Sequence, residues 1–388
     1  MVPAMTPISR RTLLGAAPLI LSSSARGAND KVQFGLIASG SRGRALLAAF
    51  QKAGARCVAL CDVYEPHLDM ARQLVPNDCQ TYGDYHKLLE QKDIDAIVIA
   101  SPDHQHKPML FASLASGKDT YLEKPLSMNR ADSDEMVRTV RKTDRIVQIG
   151  MQRRSMAFIR NAKKFLDDGN LGKISMVKAM WNWHFDLWLS NAPLEGKIDW
   201  PGFLGSAPQH PLEPKRFRWW RGFWDYSGGN MTDQGTHLMD VVQWMTGQGA
   251  PMSAVCNGRV DQVDCEVPNV FTAVFEYPTF LATWTLNYRT THEFDWSITF
   301  IGEKAAMLMD RRGYRVYKDG GLSPEPWSFK GQPEMIAEVP DTDRPEAHQE
   351  NFLACVQSRQ QPNCPIEVAA AAVAGPHMAN EFYRAQHA

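Results

Sequence analysis

Lys124 stands between an acid and a proline in Tyr121-Leu-Glu-Lys-Pro125, directly after a short β-like run. A lysine alone reads as a solvated surface charge. This one has a glycine turn upstream at residues 35–43, and Asp233 and His237 downstream. Those two are four residues apart, which puts both side chains on one face of a helix. Such a set suits hydride removal from a carbinol, which needs a base for the hydroxyl proton, a donor for the polarised oxygen and close approach of the acceptor. Lys124 can take or supply the proton once burial or a neighbouring cation lowers its pKa. His237, with a natural titration range near neutrality, is the second candidate. Asp233 is expected to hydrogen-bond His237, Lys124 or a substrate hydroxyl. The candidate catalytic set is therefore Lys124, Asp233 and His237.

The glycine turn supplies the acceptor's site. Ala38-Ser-Gly40-Ser41-Arg42-Gly43 is a G-x-G-x-x-G fingerprint with alanine at the first glycine position. It follows the strand-like run 32–38 and opens a helix at 42–53. Gly40 lets the backbone approach a pyrophosphate, Gly43 lets helix and strand pack closely, and the helix N-terminus faces the phosphates. Asp62 ends the next strand-like run 57–61, 22 residues after Gly40, where an acid binds the adenosine ribose hydroxyls. The acid favours NAD over NADP, with Arg42 leaving NADP open. Further alternation predicts a helix near 65–74, a strand at 94–100, a helix at 106–115, a strand at 120–123, a helix at 130–143 and a strand at 146–150. This order implies a parallel, doubly wound sheet. Ser101-Pro102-Asp-His104-Gln-His106 follows a buried strand, at the carboxyl edge where ligands bind. Ser101, Pro102, His104 and His106 are expected beside the nicotinamide ribose. No third ligand stands near the two histidines, so no metal is expected there.

Together these stretches resemble the glucose–fructose oxidoreductase / inositol dehydrogenase / rhizopine-catabolism (Gfo/Idh/MocA) family. The residues that carry the resemblance are 35–43, 101–106, Glu123-Lys124-Pro125 and Gly229-Asn-Met-Thr-Asp-Gln-Gly-Thr-His237. The resemblance implies an N-terminal Rossmann domain and a C-terminal α+β domain on a large, mostly antiparallel open sheet, often an oligomer interface. It implies action on sugars, cyclitols and related polyols with NAD(P), with Lys124 as the family's lysine and Asp233 and His237 as its acid–histidine pair. It also suggests a cis bond before Pro125. The candidate cofactor contacts are Ala38, Gly40, Ser41, Arg42, Gly43, Asp62, Ser101, Pro102, His104, His106, Glu123, Lys124 and Pro125. Alanine at position 38 departs from the family pattern.

The second half reads as a substrate domain. Helices are predicted at 158–168, 229–246, 346–357 and 368–385, and strands at 174–184, 253–260, 270–277, 281–288, 296–301 and 305–309. Gly320–Pro340 reads as a surface loop. Residues 181–226 hold seven of the chain's eleven tryptophans and five prolines, which predicts a largely irregular insertion at 185–226. Flat rings beside arginines suit a sugar, and aromatic packing into the body or an interface suits them equally. Arg153, Trp183, His184, Trp220 and Arg221 are the candidate substrate contacts. The expected domains are 1–28, 29–150 and 151–388.

The chain's 388 residues carry a formal net charge of −1, which gives no reason to expect a nucleic acid or an acidic membrane surface as partner. Ser9-Arg-Arg-Thr-Leu-Leu14, an apolar stretch and small residues read as a twin-arginine signal over residues 1–28. The expected partners are thus the twin-arginine export machinery, a sugar, glycoside or polyol, and further copies of the chain as a dimer or tetramer. A periplasmic or otherwise exported enzyme cannot draw on free NAD, so the cofactor is expected to be tightly bound and recycled. The seven cysteines show no metal spacing and read mainly as core residues. Two other readings stand beside the oxidoreductase. One is an NAD-dependent glycoside hydrolase or lyase working by transient oxidation and elimination. The other is a non-catalytic sugar-binding protein on the same fold.

Overall fold

The computed structural model describes residues 31–184, 190–262, 264–318, 333–342 and 344–387. The expected signal at 1–28 and Trp188 lie outside them.

Six strands form the first sheet: β1 (Gln33–Ile37), β2 (Arg56–Cys61), β3 (Gln80–Tyr82), β4 (Ala96–Ile99), β5 (Asp119–Leu122) and β6 (Val147–Ile149). Their order is β3-β2-β1-β4-β5-β6, and every pairing is parallel. Between them run α1 (Ser41–Lys52), α2 (Glu65–Arg72), α3 (Tyr85–Leu89), α4 (His106–Ala115) and α5 (Arg130–Val140). Side chains alternate across the sheet. Phe34 and Leu36 join a core with Phe50 and Phe352, while Ile37, Ile97 and Ile99 join another with Leu110, Ile366 and Val373. The chain's last two helices, which carry Phe352 and Ile366, thus pack on opposite faces of this sheet.

The second sheet contains β7 (Ile174–Asn182), β8 (Ser253–Arg259), β9 (Val270–Glu276), β10 (Leu281–Asn287), β11 (Asp295–Gly302), β12 (Ala305–Asp310), β13 (Gly313–Lys318) and β14 (Glu334–Pro340). Its order is β14-β13-β12-β11-β7-β10-β9-β8, antiparallel except for β7 with β10. The remaining helices are α6 (Ala157–Asp167), α7 (Trp200–Leu204), α8 (Pro214–Arg218), α9 (Gly229–Thr246), α10 (Ala347–Ser358) and α11 (Ile366–Gln386). Ala273, Phe275, Trp284, Ile298 and Phe300 point into a core shared with α6, α9 and α11. The alternate residues Lys178, Thr272, Thr283 and Thr285 are exposed or half-buried on the opposite face. Helix α11 serves both sheets, with Ile366 and Val373 in the first core and Ala379 and Tyr383 in the second.

Two expectations change. The supposed loop 320–340 ends in β14, an edge strand paired with β13. Met335 and Ile336 are exposed there, so β14 lacks the buried alternation that announces a strand; residues 319–332 lie outside the described residues. The insertion is not irregular throughout, because α7 and α8 fold around a small core of Trp200, Phe203, Leu204, Phe223 and Tyr226.

The turn after β1 is the tightest point of the first layer. A Cβ at Gly43 would lie 2.1 Å from the carbonyl oxygen of Ala38, so only glycine lets α1 pack this closely. Ala38 itself has φ of 67°, a left-handed conformation costing roughly 1–2 kcal/mol for a residue with a Cβ. Part of that cost is offset because alanine restricts the unfolded chain more than glycine does. Ala38→Gly is expected to raise stability by about 1 kcal/mol, read from chemical denaturation; an unchanged or lowered midpoint would contradict strain at this turn.

Candidate active site

A cleft of about 940 Å³ opens along the carboxyl edge of the first sheet, within the roughly 300–1,000 Å³ range of cofactor sites. Ala38, Gly40, Ser41, Arg42, Asp62, Ser101, Pro102, Glu123 and Lys124 line it. Gly40 caps the start of helix α1 without a side-chain hydrogen bond, so the helix's first amides remain as donors at the cleft. A Cβ added to Gly40 would meet nothing closer than the His67 ring at 3.6 Å, which leaves open space over the turn. Exposed amides, a positive helix end and an open backbone are the fittings of a pyrophosphate cradle.

The two polar walls are held in place. Asp62 Oδ2 accepts from Ser39 N at 2.6 Å and Oδ1 from Tyr64 N at 2.9 Å, fixing the carboxylate at the end of β2. Arg42 donates from Nε and Nη2 to Glu123 Oε1 at 2.8 and 2.6 Å. Glu123 holds the Arg42 guanidinium more strongly charged than usual, against the opposing effect of burial. The guanidinium is thereby engaged at the Glu-Lys-Pro element.

Lys124 follows β5 directly, and the Lys124–Pro125 peptide is cis. Its Nζ donates to Asp233 Oδ1 at 2.6 Å and to the Asp233 carbonyl at 2.9 Å. The other carboxylate oxygen of Asp233 lies 3.3 Å from Arg221 Nε. Burial alone would raise the Asp233 carboxyl, but Arg221 and Lys124 outweigh it and hold the group below the usual carboxylate range. Asp233 is therefore an ionised bridge between two cations rather than the partner of His237. One turn along α9, His237 is buried, with no hydrogen-bond partner at Nδ1. Burial first, then the charges of Lys124 and Arg153, push its pKa well below the ordinary histidine value. The imidazole is neutral with a buried, unpaired Nδ1, and neither Asp233 nor His237 lines the cleft itself.

Other sequence candidates fall into different places. His104 and His106 do not line the cleft. His104 Nε2 lies 2.8 Å from the Phe203 carbonyl, and His106 Nδ1 lies 2.7 Å from that of Pro125. They brace neighbouring backbone, and among the described residues no group of three or more metal-ligating side chains occurs. Trp220 and Arg221 line the cleft, with the guanidinium 4.0 Å from the Trp220 ring centroid. Arg153 is buried and stacks on Trp296 at 4.3 Å and Trp181 at 5.3 Å. Burial lowers its pKa to about 10. Trp183 stacks on Tyr288, and His184 bridges Arg289 at the end of β7; neither lines the cleft.

Asp103 was not singled out, although it lies inside the stretch 101–106. It is 2 % exposed, accepts from Ser227 Oγ at 2.7 Å, and is pushed up to about 7 by burial and by Asp233. Its only sequence signal is an acid just beyond a fully apolar strand; Ser227 has none.

The chain matches two consecutive family models. Residues 32–151 match an oxidoreductase family with an NAD-binding Rossmann fold, and 159–308 match the GFO/IDH/MocA C-terminal domain. An inositol 2-dehydrogenase from Salmonella paratyphi B is 30% identical over 125 residues, 32% of this chain and 37% of that protein. A 2,7-anhydro-N-acetylneuraminate hydratase from Mediterraneibacter gnavus is 31% identical over 208 residues, 54% of this chain and 47% of that protein. The alignments thus span under half of either relative. Among solved structures, the WlbA dehydrogenase of Bordetella pertussis, in complex with NADH and UDP-GlcNAcA, superposes with a TM-score of 0.71 at 19% identity over 92% of this chain and 97% of that one. The aldose-aldose oxidoreductase of Caulobacter crescentus gives 0.70 at 17% identity over 92% and 98%. At these identities the likeness is one of fold.

The raised Asp103 carboxyl has a measurable consequence. A carboxyl with an ordinary unfolded pKa near ~3.9 and a raised folded one binds more protons when folded. Its contribution favours the folded state at acidic pH and is lost as pH rises from about 4 to about 7. Asp103→Asn keeps an acceptor for Ser227 and removes this titration. Thermal unfolding across that window should fall less steeply with pH in the variant than in the parent; parallel curves would refute the assignment.

Proposed function

The chain belongs to the Gfo/Idh/MocA oxidoreductase family, and from that premise we propose that it moves hydride between NAD and a hydroxyl or keto carbon of a sugar, glycoside or cyclitol. The observation that carries this reading is the contact of Lys124 with Asp233 at the cleft edge, one helical turn from a buried, neutral His237. NAD, when bound, supplies the hydride acceptor and donor. Gly40, Ser41 and the first amides of α1 would hold its pyrophosphate, and Asp62 its adenosine ribose. Asp62 disfavours an additional 2′-phosphate by charge, and Arg42, engaged with Glu123, supplies no counter-charge there. Both features support NAD over NADP.

The residues divide the proton work. Neutral His237 takes the proton of the reacting hydroxyl. Lys124, two of whose donors are committed to Asp233, turns a remaining N–H to the oxygen as negative charge develops on it. Asp233 positions Lys124, and Arg221 positions Asp233. In the reverse direction Lys124 polarises a carbonyl and His237, once protonated, returns the proton.

A second reading is favoured by one relative. The hydratase carries a name that denotes no net redox change, which suits a cofactor reduced and reoxidised within one cycle. Such a cycle would cleave or hydrate a glycoside through a transient ketone. We further propose export by the twin-arginine route, supported by Ser9-Arg-Arg-Thr-Leu-Leu14. We also propose self-association through the open face of the second sheet, where Val255 and Leu281 are exposed.

The deciding experiment incubates purified protein with NAD and a panel of polyols, sugars and nitrophenyl glycosides, following NADH absorbance and product mass. A keto-sugar supports oxidation, and nitrophenol without net NADH supports cleavage; no turnover of any member would contradict both. Lys124→Ala is expected to lower kcat by roughly 10²–10³-fold, the usual cost of removing one donor to a developing oxygen charge. Unchanged turnover would remove Lys124 from the chemistry.

A further inference from the structure

The strand order of the first sheet leaves β3 at its edge, paired with β2 through three residues. The far end of this pairing is secured by Asp62 N, which donates to the Tyr82 carbonyl at 3.2 Å. Cys79 stands at the near end, one residue before β3, and Cys57 lies near the start of β2. Regular alternation would put Cys57, Ala59 and Cys61 on one face of the sheet. The register of β1 against β2 slips here, because Phe34 pairs with Cys57 and Gly35 with Ala59. Val58 is the extra residue of this bulge, and it turns Cys57 to the other face. Cys57 therefore packs with Phe50, Leu60 and Cys79, whereas Ala59 and Cys61 join Ile37 and Ile97.

The bulge brings two free thiols together. Cys57 Sγ lies 3.4 Å from the Ala59 carbonyl oxygen and Cys79 Sγ 3.8 Å from that of Gln80, and Ala59 and Gln80 are directly paired across the two strands. Neighbouring strands run about 4.8 Å apart, and a disulfide spans Cα separations of roughly 4.4–6.8 Å. The Cys57 thiol is close enough to hydrogen-bond the Cys79 sulfur, which raises the pKa of Cys57 and lowers that of Cys79 against the effect of burial. Arg72 and Arg56 lower Cys79 further, so Cys79 is the sulfur that carries thiolate character. It is covered only by the short turn 73–78, whose residues are exposed except for the half-buried Val75. Opening that turn uncovers Cys79 without disturbing the sheet.

We propose that Cys57 and Cys79 are a dithiol that closes to a disulfide under a small-molecule disulfide oxidant and staples the edge strand β3 to β2. The Cys79 thiolate attacks one sulfur of the oxidant, releasing a first thiol and leaving a mixed disulfide on Cys79. The Cys57 thiol then gives up its proton and attacks the Cys79 sulfur, releasing the second. Two protein thiols are oxidised, the external disulfide is reduced to two thiols, and these carry away the two protons. The bond closes residues 57–79 into a loop that contains Asp62 and α2. With the disulfide at one end and the Asp62–Tyr82 hydrogen bond at the other, β3 is held at both ends. Oxidants of this class act outside a reducing cytosol, in the surroundings to which the proposed export leads. The dithiol is independent of the hydride-transfer reading, since neither cysteine lines the cleft.

The test incubates the full chain, reduced and then freed of reductant, with oxidised glutathione in the absence of denaturant. Remaining thiols are alkylated before mass spectrometry. The expected product is two hydrogens lighter than the reduced chain, and after proteolysis the peptides that contain Cys57 and Cys79 are joined. Thiols that stay free, a glutathione adduct that does not resolve, or a bond between another pair of cysteines would overturn the dithiol. The oxidised chain is expected to unfold about 4 °C higher, from the loop entropy removed in a chain of this size, and reduction should reverse the rise. An unchanged or lower unfolding temperature would overturn the staple. Cys57→Ala, which removes the resolving thiol, should keep one glutathione on Cys79; a variant free of adduct would overturn Cys79 as the attacking sulfur. If that variant does not fold, the peptide map of the parent decides.

Discussion

A single buried carboxylate organises the chemical end of this molecule. Asp233 holds Lys124 on one oxygen and Arg221 on the other. Its carboxylate is almost fully removed from water, and an unpaired charge there would be expensive. Two cations offset that cost, and each arrives on a different piece of chain: Lys124 at the exit of β5, Arg221 from the insertion. Helix α9 supplies the carboxylate. The three segments are thus fixed relative to one another by electrostatics where each would otherwise be a loop or a helix end. Removing Asp233 would leave two cations facing each other, which is why this pairing constrains the site more than any one packing contact does.

The cofactor end rests on a steric constraint rather than an electrostatic one. Strand β1 must turn into α1 within three residues, Ser39 and Gly40 included, and the backbone of Gly43 touches the Ala38 carbonyl region. That approach brings the unpaired amides of α1 to the cleft floor. Arg42, one residue into the helix, then reaches across to Glu123, linking the turn to the residue before Lys124. Backbone geometry at residues 38–43 and charge at residues 123–124 are consequently one unit. A shift of α1 would disturb the lysine as well as the phosphate cradle.

Most of the Rossmann layer was legible because its strands are apolar runs and its turns carry glycine and aspartate signals. Residues 106–115 and 229–246 were read with the bounds the structure gives α4 and α9. What escaped was short or polar. Strand β3 has three residues, with an exposed Gln80, and α3 has five. Strand β13 hides its inward Tyr314 and Val316 among arginine and lysine. The aromatic insertion was legible as unusual but not as folded, since its core forms from residues up to 26 positions apart, Trp200 to Tyr226. The tryptophans proved divided: Trp181 is core, Trp200 supports the insertion, and Trp219 and Trp220 reach the cleft. His104 and His106 misled for a physical reason. A histidine at a sheet's carboxyl edge looks like a ligand, yet here each ring is committed to a backbone carbonyl, of Phe203 for His104 and of Pro125 for His106.

The charge state of the site follows from the same arrangement. Lys124 and Arg221 contribute two positive charges and Asp233 one negative charge, while Asp103 is pushed up to about 7 and so adds only a partial negative charge near neutrality. The local balance is positive. Its two effects are coupled: Lys124 and the nearby Arg153 help keep His237 unprotonated, and a net positive field stabilises an oxygen that is losing its proton. The base is kept neutral and the oxygen's developing charge is met by a single arrangement of side chains. A carboxylate beside His237 would have raised the imidazole's pKa and weakened the field on the oxygen at once. The commitment of Asp233 to the two cations, rather than to the histidine four residues away, is what prevents this.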